Sequence, residues 1–477
     1  MFVVTDAGDW AKENFGGCAL GDKRRGTRLV RVARDVARHV GDSLLACCGG
    51  DEAAAEGMYR LLRNEKVEPS AIAEGGFLAT ARRARSCDVL LAVEDTTTLS
   101  YRHSVAEELG AISNSLMARS RGFIVHSVLL VEGTTGHTVG LIEQQRWKRA
   151  AAEYGKKHRR KQRRYEDKES FKWQRAGEAV RERLGDALSR RVIAVGDREA
   201  DIADYLLWQQ RELGRYVVRA SSDRRLCGTV QGLWKTLEEA PVLGSQSIEV
   251  PQRGGRPARR AQLCLRAQPV ELTVPTRLSS QGNIRCFALL AREQGSAEGQ
   301  EPLEWLLLTT EPVTTQQEAL DILWIYSQRW RIEEFHKAWK SGAQVEALRP
   351  RSANNLERGA VLLAFVAVRL LQLRELVYPP ASRGQALNVP LTQQPCDQVL
   401  SETEWKVLYM TTHKSVPPTE PPSAEWAYRA IAKLGGWSDT QRTGRPGWQA
   451  IWRGLFRLAE RVETHLITLE LCKRSDQ

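Results

Sequence analysis

An α/β core, flanked by helical segments at both ends and interrupted by a β-rich stretch, is the fold class this sequence predicts. Three observations carry it. Three apolar runs follow one another closely, at about 88–94, 122–132 and 138–145, and the separators "SRG" and "GTTG" carry turn chemistry, so an antiparallel meander is expected. After a charged helical segment, Ser170 to Leu188, the run "RVIAVGD", the helical "READIADYLLWQQRELG" and the run "RYVVRASS" alternate strand, helix and strand, with Gly214 marking the helix end. Outside this region the apolar period is helical.

Three antiparallel strands followed by helix–strand–helix–strand is the order of the ribonuclease-H-like fold. In that order the first and fourth strands are neighbours. Asp95 in "VLLAVEDTT" and Asp197 in "RVIAVGDRE" would then lie side by side at the carboxyl ends of their strands, where open α/β sheets build their sites.

Residues 1–70 read as a helical domain. In "GDKRRGTRLVRVARDVARHVGDS", Leu29, Val32, Val36 and Val40 recur at near-helical intervals, while Lys23, Arg24, Arg25, Arg28, Arg31, Arg34 and Arg38 crowd the other faces. A charged helix face is ordinarily just solvated. Here the charge has one sign, with Asp35 alone among the arginines, which favours a DNA-docking helix. Residues 71–377 form the expected catalytic domain, opening with the helix "PSAIAEGGFLATARRA" and interrupted at about 222–309 by alternating runs such as "AQLCLRAQPVELTV" and "IRCFALLAREQ".

A helix after that insertion, with Thr315 and Glu318 as its capping box and Gly342 as its stop, carries "IYSQRWRIEEFHKAWKSG". Tyr326, Arg329, Glu333 and Lys340 are spaced there by three, four and seven residues, steps that return to one helix face. A carboxylate on that face, with Asp95 and Asp197, makes an oxygen donor set for divalent metal ions, and the neighbouring cations suit phosphate. Glu334 points about 100° away and reads as a solvated or ion-paired neighbour. The apolar run at Val361–Leu373 contains Arg369 and predicts a buried helix, not a membrane span. In residues 378–477, a helical C-terminal domain, Trp448, Trp452, Leu455, Leu458, Val462, Leu466 and Leu469 approximate a seven-residue pattern suited to docking another helix, in this chain or a second copy.

Composition bounds the function. The chain has 477 residues, 70 Lys+Arg against 58 Asp+Glu, and a net charge of +12, which favours a polyanionic partner. The segment 146–164, "RWKRAAAEYGKKHRRKQRR", alone holds ten Lys or Arg and one acid, Glu153; Lys156, Lys157, Arg159 and Arg160 in it are candidate phosphate contacts. Nine scattered cysteines without a zinc-like cluster fit buried thiols in a reducing cytoplasm. Met1–Thr5 leads into "DAGDWAKENF" and not into a signal-peptide core. His103 and His126 lie near the strands, but a carboxylate metal site needs neither, and both are read as structural.

The motifs "ALGDKRR", "EDTTTLSYRHSVAEELG", "SRGFIVHSVLLVEGTTGHTVGL", "VIAVGDREADI", "PLEWLLLTTEPV", "YSQRWRIEEFHKAWKSGA", "NNLER" and "FVAVRLLQLRE" together span nearly the whole chain. In them the chain resembles the DDE transposases of the insertion-sequence-four family. The resemblance implies that Asp95, Asp197 and Glu333 are the catalytic triad, holding two Mg²⁺ or Mn²⁺ ions. It implies that Tyr326, Arg329 and Lys340 hold phosphates of the transposon end, that Trp305 stacks on a base flipped out of the duplex, and that Arg219 contacts DNA. A cut-and-paste reaction through a DNA hairpin is implied, as is a homodimer synapsed on paired ends, in a bacterial cytoplasm and associated with the nucleoid when bound to DNA. Two departures stand out: the insertion is shorter around "PQRGGRPARRAQL", and the segment 146–164 is far more basic than in one member of the family, although others of the family look similar there.

Each residue also has a plainer reading. Asp95 and Asp197 could cap the turns that follow them, and a Trp before "LLL" is usually core. A ribonuclease-H-like nuclease or resolvase without strand transfer would use the same triad, and a silent DNA-binding remnant would keep the basic helices.

Overall fold

The computed structural model describes residues 6–40, 43–112, 121–149, 163–250, 258–295, 302–377, 379–384, 395–398, 400–440, 443 and 446–475. Its strands are β1 (Leu90–Tyr101), β2 (Gly110–Ala111), β3 (Arg121–Glu132), β4 (Thr138–Trp147), β5 (Val192–Gly196), β6 (Arg215–Arg219), β7 (Val242–Val250), β8 (Arg259–Leu272), β9 (Ile284–Gln294) and β10 (Glu304–Thr309). The α-helices are α1 (Ala7–Phe15), α2 (Lys23–Arg38), α3 (Glu52–Arg63), α4 (Pro69–Ala84), α5 (Lys172–Ser189), α6 (Ala203–Arg211), α7 (Leu233–Glu239), α8 (Gln316–Ser327), α9 (Trp330–Lys337), α10 (Ala353–Val377), α11 (Glu402–His413), α12 (Ala424–Leu434) and α13 (Trp448–Ser475).

All ten strands form one sheet in the order β2-β3-β1-β5-β6-β10-β9-β8-β7, with β4 also on β3. The core strands β4-β3-β1-β5-β6 have the expected ribonuclease-H-like arrangement: β1 runs antiparallel to β3 and parallel to β5, and β5 runs parallel to β6. The expected insertion does not form a separate β unit. Its last strand, β10, pairs antiparallel with β6, and β9, β8 and β7 follow outward, so the open edge of the core sheet is extended by four strands. An unpaired edge exposes a row of backbone donors and acceptors, and adding strands satisfies them.

Side chains alternate across β1 with period two. Leu91 and Val93 enter the core shared with α8, α9 and α10, while Leu90 and Ala92 face α4 and α5 on the other side. Burying each of the Leu and Val side chains contributes roughly 1.5–3 kcal/mol. The same alternation sends Ile193 and Val195 of β5 to the α8–α10 side. Asp95 and Asp197 continue these two odd-numbered series and share that face.

The N-terminal helices form as read. Leu29, Val32 and Val36 of α2 are buried, and Asp22 caps the helix through the Arg24 N–H. These helices share a core with α10: Arg358 donates to the Val67 and Leu62 carbonyls, and Arg369 to that of Ala37. Arg358 and Arg369 thereby tie α10 to the N-terminal helices. No described helix is long and apolar enough to cross a membrane. The first half of α13 packs within its own chain. Trp452 and Leu458 are buried and Leu455 and Val462 partly buried against the same chain, while Leu466 and Leu469 are 48% and 44% exposed. The end of α6 differs from expectation: the left-handed backbone falls at Leu213 (φ 52°) and not at Gly214, where a Cβ would displace the Gln209 side-chain amide.

Candidate active site

The expected single helix over Tyr326–Lys340 is broken. Helix α8 starts on the predicted capping box, Thr315 accepting from the Glu318 N–H and the Glu318 carboxylate from the Thr315 N–H. It ends at Ser327, and at Gln328–Arg329 the hydrogen bonds tighten, with the Arg329 N–H donating to Tyr326 O and the Arg331 N–H to Gln328 O. Helix α9 then carries Glu333 and widens into a π-turn, Ala338–Gly342, containing Lys340. Tyr326, Arg329, Glu333 and Lys340 thus lie on four successive pieces of backbone and not on one regular face.

Three of the predicted residues nonetheless meet. Arg329 Nη2 lies 2.5 Å from Glu333 Oε1, and its Nη1 lies 4.0 Å from Asp95 Oδ2, so one guanidinium spans a carboxylate of the sheet and one of the helix. Tyr326 is buried at the end of α8, near Arg329. Asp95 is not at a strand end, because β1 continues to Tyr101 against β3; it lies where pairing with β5 stops, after Val93↔Val195. Continuing that register sets Asp95 opposite Asp197. Asp197 does cap the turn after it, accepting from the Glu199 N–H at 2.8 Å, so the plainer reading and the site reading hold together. The side chains of Asp95 and Glu333 are 23% and 35% exposed, open enough for a ligand to reach.

Burial pushes the Asp95 carboxyl up to about 6, helped by the charges of Asp197 and Glu333 and opposed by the Thr96 N–H and Arg329. Three carboxylates thus act on one place with a single nearby guanidinium. Such a set of hard oxygen donors fits a divalent cation, which would offset the surplus negative charge. Among the described residues no three acidic, His or Cys groups already stand at metal-holding spacing. The ion pair of Glu333 with Arg329 is the contact that would have to open.

Lys340 stands apart. It makes no ion pair with Glu333; burial lowers its ammonium, partly countered by Glu346, whose carboxylate accepts from the Ser100 N–H at the far end of β1. Trp305 on β10 is half-buried against the core, and Arg219 of β6, in register with Leu307, donates to the carbonyl of Glu304, the residue before Trp305, at 2.9 Å. Lys23 and Arg24 are exposed and Arg28 half-exposed on α2, whereas Arg25 donates to Leu20 O. Lys156, Lys157, Arg159 and Arg160 lie outside the described residues.

The sequence reading missed the far side of β1. Glu94, buried, lies 3.2 Å from His126 Nε2, and His126 Nδ1 is 3.1 Å from Thr96 Oγ1. Alternation along β1 was the signal, since a residue beside Asp95 must face the opposite layer. His126 is a buried structural residue, as expected.

Residues 45–369 match the family model described as transposase DDE domain, and residues 7–67 match the one described as transposase DNA-binding. The chain belongs to the transposase DDE domain family. It is a transposase whose N-terminal helices match a DNA-binding segment, and a DNA-processing enzyme of a class that uses divalent metal ions.

His336 on α9 is buried and its Nε2 has no partner. Burial, with the Lys340 charge, lowers its imidazole to about 3. The folded state therefore refuses a proton that the unfolded chain accepts below about 6.5, so this contribution is complete above that pH and is lost as pH falls toward 3. Denaturant unfolding between pH 7 and pH 5 should show stability falling by up to about 1.4 kcal/mol per unit from this group. The slope should flatten in His336→Gln; equal slopes in variant and parent would contradict the assignment.

Proposed function

We propose that this chain is a cut-and-paste transposase of the insertion-sequence-four family, similar to the transposase of bacterial transposon five, working on DNA in a bacterial cytoplasm. The observation that supports it most is the Arg329 guanidinium spanning Asp95 of the sheet and Glu333 of the helix, with the charge of Asp197 acting on Asp95, within a transposase DDE domain. In this reading residues 1–70 bind the end sequence, 71–377 catalyse and 378–477 support a homodimer synapsed on two ends. Asp95, Asp197 and Glu333 would hold two Mg²⁺ or Mn²⁺ ions. Bound there, such ions activate an oxygen nucleophile and stabilise the leaving oxygen of an in-line displacement.

The residues of this chain then have separate tasks. The two aspartates present fixed oxygens from paired strands, and Glu333 closes the set from the helix. Arg329, released from Glu333, is free to grip a phosphate of the transposon end, with Tyr326 beside it and Lys340 further along the strand. Water cleaves one strand at each end, the freed 3′-OH attacks the opposite strand to form a hairpin, and water reopens it before both 3′-OH groups join target DNA. Trp305 and Arg219 would receive the extruded base and its phosphate.

Asp95→Ala, Asp197→Ala and Glu333→Ala should each abolish Mg²⁺-dependent cleavage of DNA bearing the element's terminal repeats while leaving DNA binding largely intact, since removing negative charge near phosphates does not weaken electrostatic attraction. Cleavage within a few-fold of the parent in any of the three would contradict the assignment. Wild-type cleavage without joining to target DNA would favour the nuclease reading.

Base–aromatic stacking contributes roughly 1–3 kcal/mol, so Trp305→Ala should slow hairpin formation more than first-strand nicking. Time courses resolving the two products decide this, and equal slowing would make Trp305 a core residue only.

The segment 146–164 should add phosphate affinity without sequence choice. Replacing Lys156, Lys157, Arg159, Arg160 and Lys161 with Ser should make the plot of log affinity against log salt less steep and leave end preference unchanged. An unchanged slope would remove the segment from the interface.

A further inference from the structure

Behind α9, on the side away from Asp95, four charged side chains form a network. Arg331 Nη1 lies 2.8 Å from Glu334 Oε2, and Arg374 Nη1 lies 2.8 Å from Glu334 Oε1. Arg331 Nη2 also pairs with Glu375, whose side chain is only 3% exposed. Glu375 in turn accepts from the Thr138 hydroxyl at 2.6 Å and from its N–H at 2.8 Å, and Gln372 donates to the Thr138 carbonyl at 3.1 Å. Thr138 opens β4, which is joined through β3 to β1 and so to Asp95. The contacts close a ring from Asp95 through the sheet to α10, across to α9 and back to Glu333.

Helix α9 is eight residues long, entered through the tightened Gln328–Arg329 turn and left through a π-turn, so the spacing of side chains changes on both sides of it and a regular helix does not set where they point. Glu333 and Glu334 are adjacent on it and point about 100° apart. Holding Glu334 from two sides therefore sets the direction of Glu333. Buried ion pairs contribute little net stability against apolar replacements of similar size, and their better-attested use is to select one arrangement among several.

We propose that Arg331, Glu334, Arg374 and Glu375 are positioning residues that aim the Glu333 carboxylate at Asp95 and Asp197, and that they set the affinity of the site for a divalent cation without touching it. The inference rests on the metal-site reading above. Residues that orient metal ligands typically change metal affinity ten- to a hundred-fold when altered.

The test uses the full-length protein and Mn²⁺ alone, with bound metal read by electron paramagnetic resonance, alongside thermal melting and affinity for terminal-repeat DNA. Glu334→Gln keeps the shape of the side chain and removes its charge. The double variant Arg331→Met/Glu375→Gln removes both partners together, so that no buried charge is left unpaired and a folded protein is retained for measurement. Both should bind Mn²⁺ at least about ten-fold more weakly than the parent, with DNA affinity retained. Folded variants with unchanged Mn²⁺ affinity and only a lower melting temperature would overturn the inference and leave the network a packing feature. Mn²⁺ binding that survives unchanged in Asp95→Asn and Glu333→Gln would instead overturn the metal-site reading itself, whatever the network does.

Discussion

The parallel pairing of β1 with β5 is the constraint on which the site depends. Its register, Leu90↔Val192 to Val93↔Val195, sets which residue of one strand stands beside which residue of the other. A shift of one residue would turn Asp95 or Asp197 to the opposite face, against α5 and α6. The apolar residues guard against that slip: Leu91, Val93, Ile193 and Val195 are all buried with the α8–α10 side, and turning any one of these strings over would expose it or force it into an already filled layer. Hydrophobic burial thereby fixes the positions of two charged groups that contribute nothing to it.

Charge balance is the second element. Asp95 is partly buried beside two further carboxylates, and one guanidinium, Arg329, answers two of the three. Desolvation and like charge work against ionised Asp95. In the proposed reading a divalent cation would offset this better than Arg329, and DNA would supply phosphates for the guanidinium so displaced, so that metal and substrate would favour each other.

Much of this was legible in the sequence. The strand order followed from turn residues and a change of period, and the two aspartates from their places after "LLAVE" and "VIAVG". The helix pieces were less so. Tyr326 to Lys340 has one helical spacing, yet packing switches its hydrogen bonding at Gln328–Arg329 and again at Ala338–Gly342, and residue spacing does not encode such switches. The insertion reads as β from its alternation, but strand identity does not specify partners, and only the open edge of β6 explains why β10 joined the core sheet. Glu334 could be read as solvated or ion-paired because its partner Arg374 lies forty residues away and its orientation depends on α10.

Anomalous X-ray diffraction from crystals of the wild-type protein grown with Mn²⁺ tests the central claim most directly. Manganese density among Asp95, Asp197 and Glu333, with the Glu333 carboxylate turned away from Arg329, is the result predicted. Manganese bound elsewhere while Arg329 still spans Asp95 and Glu333 would contradict the account.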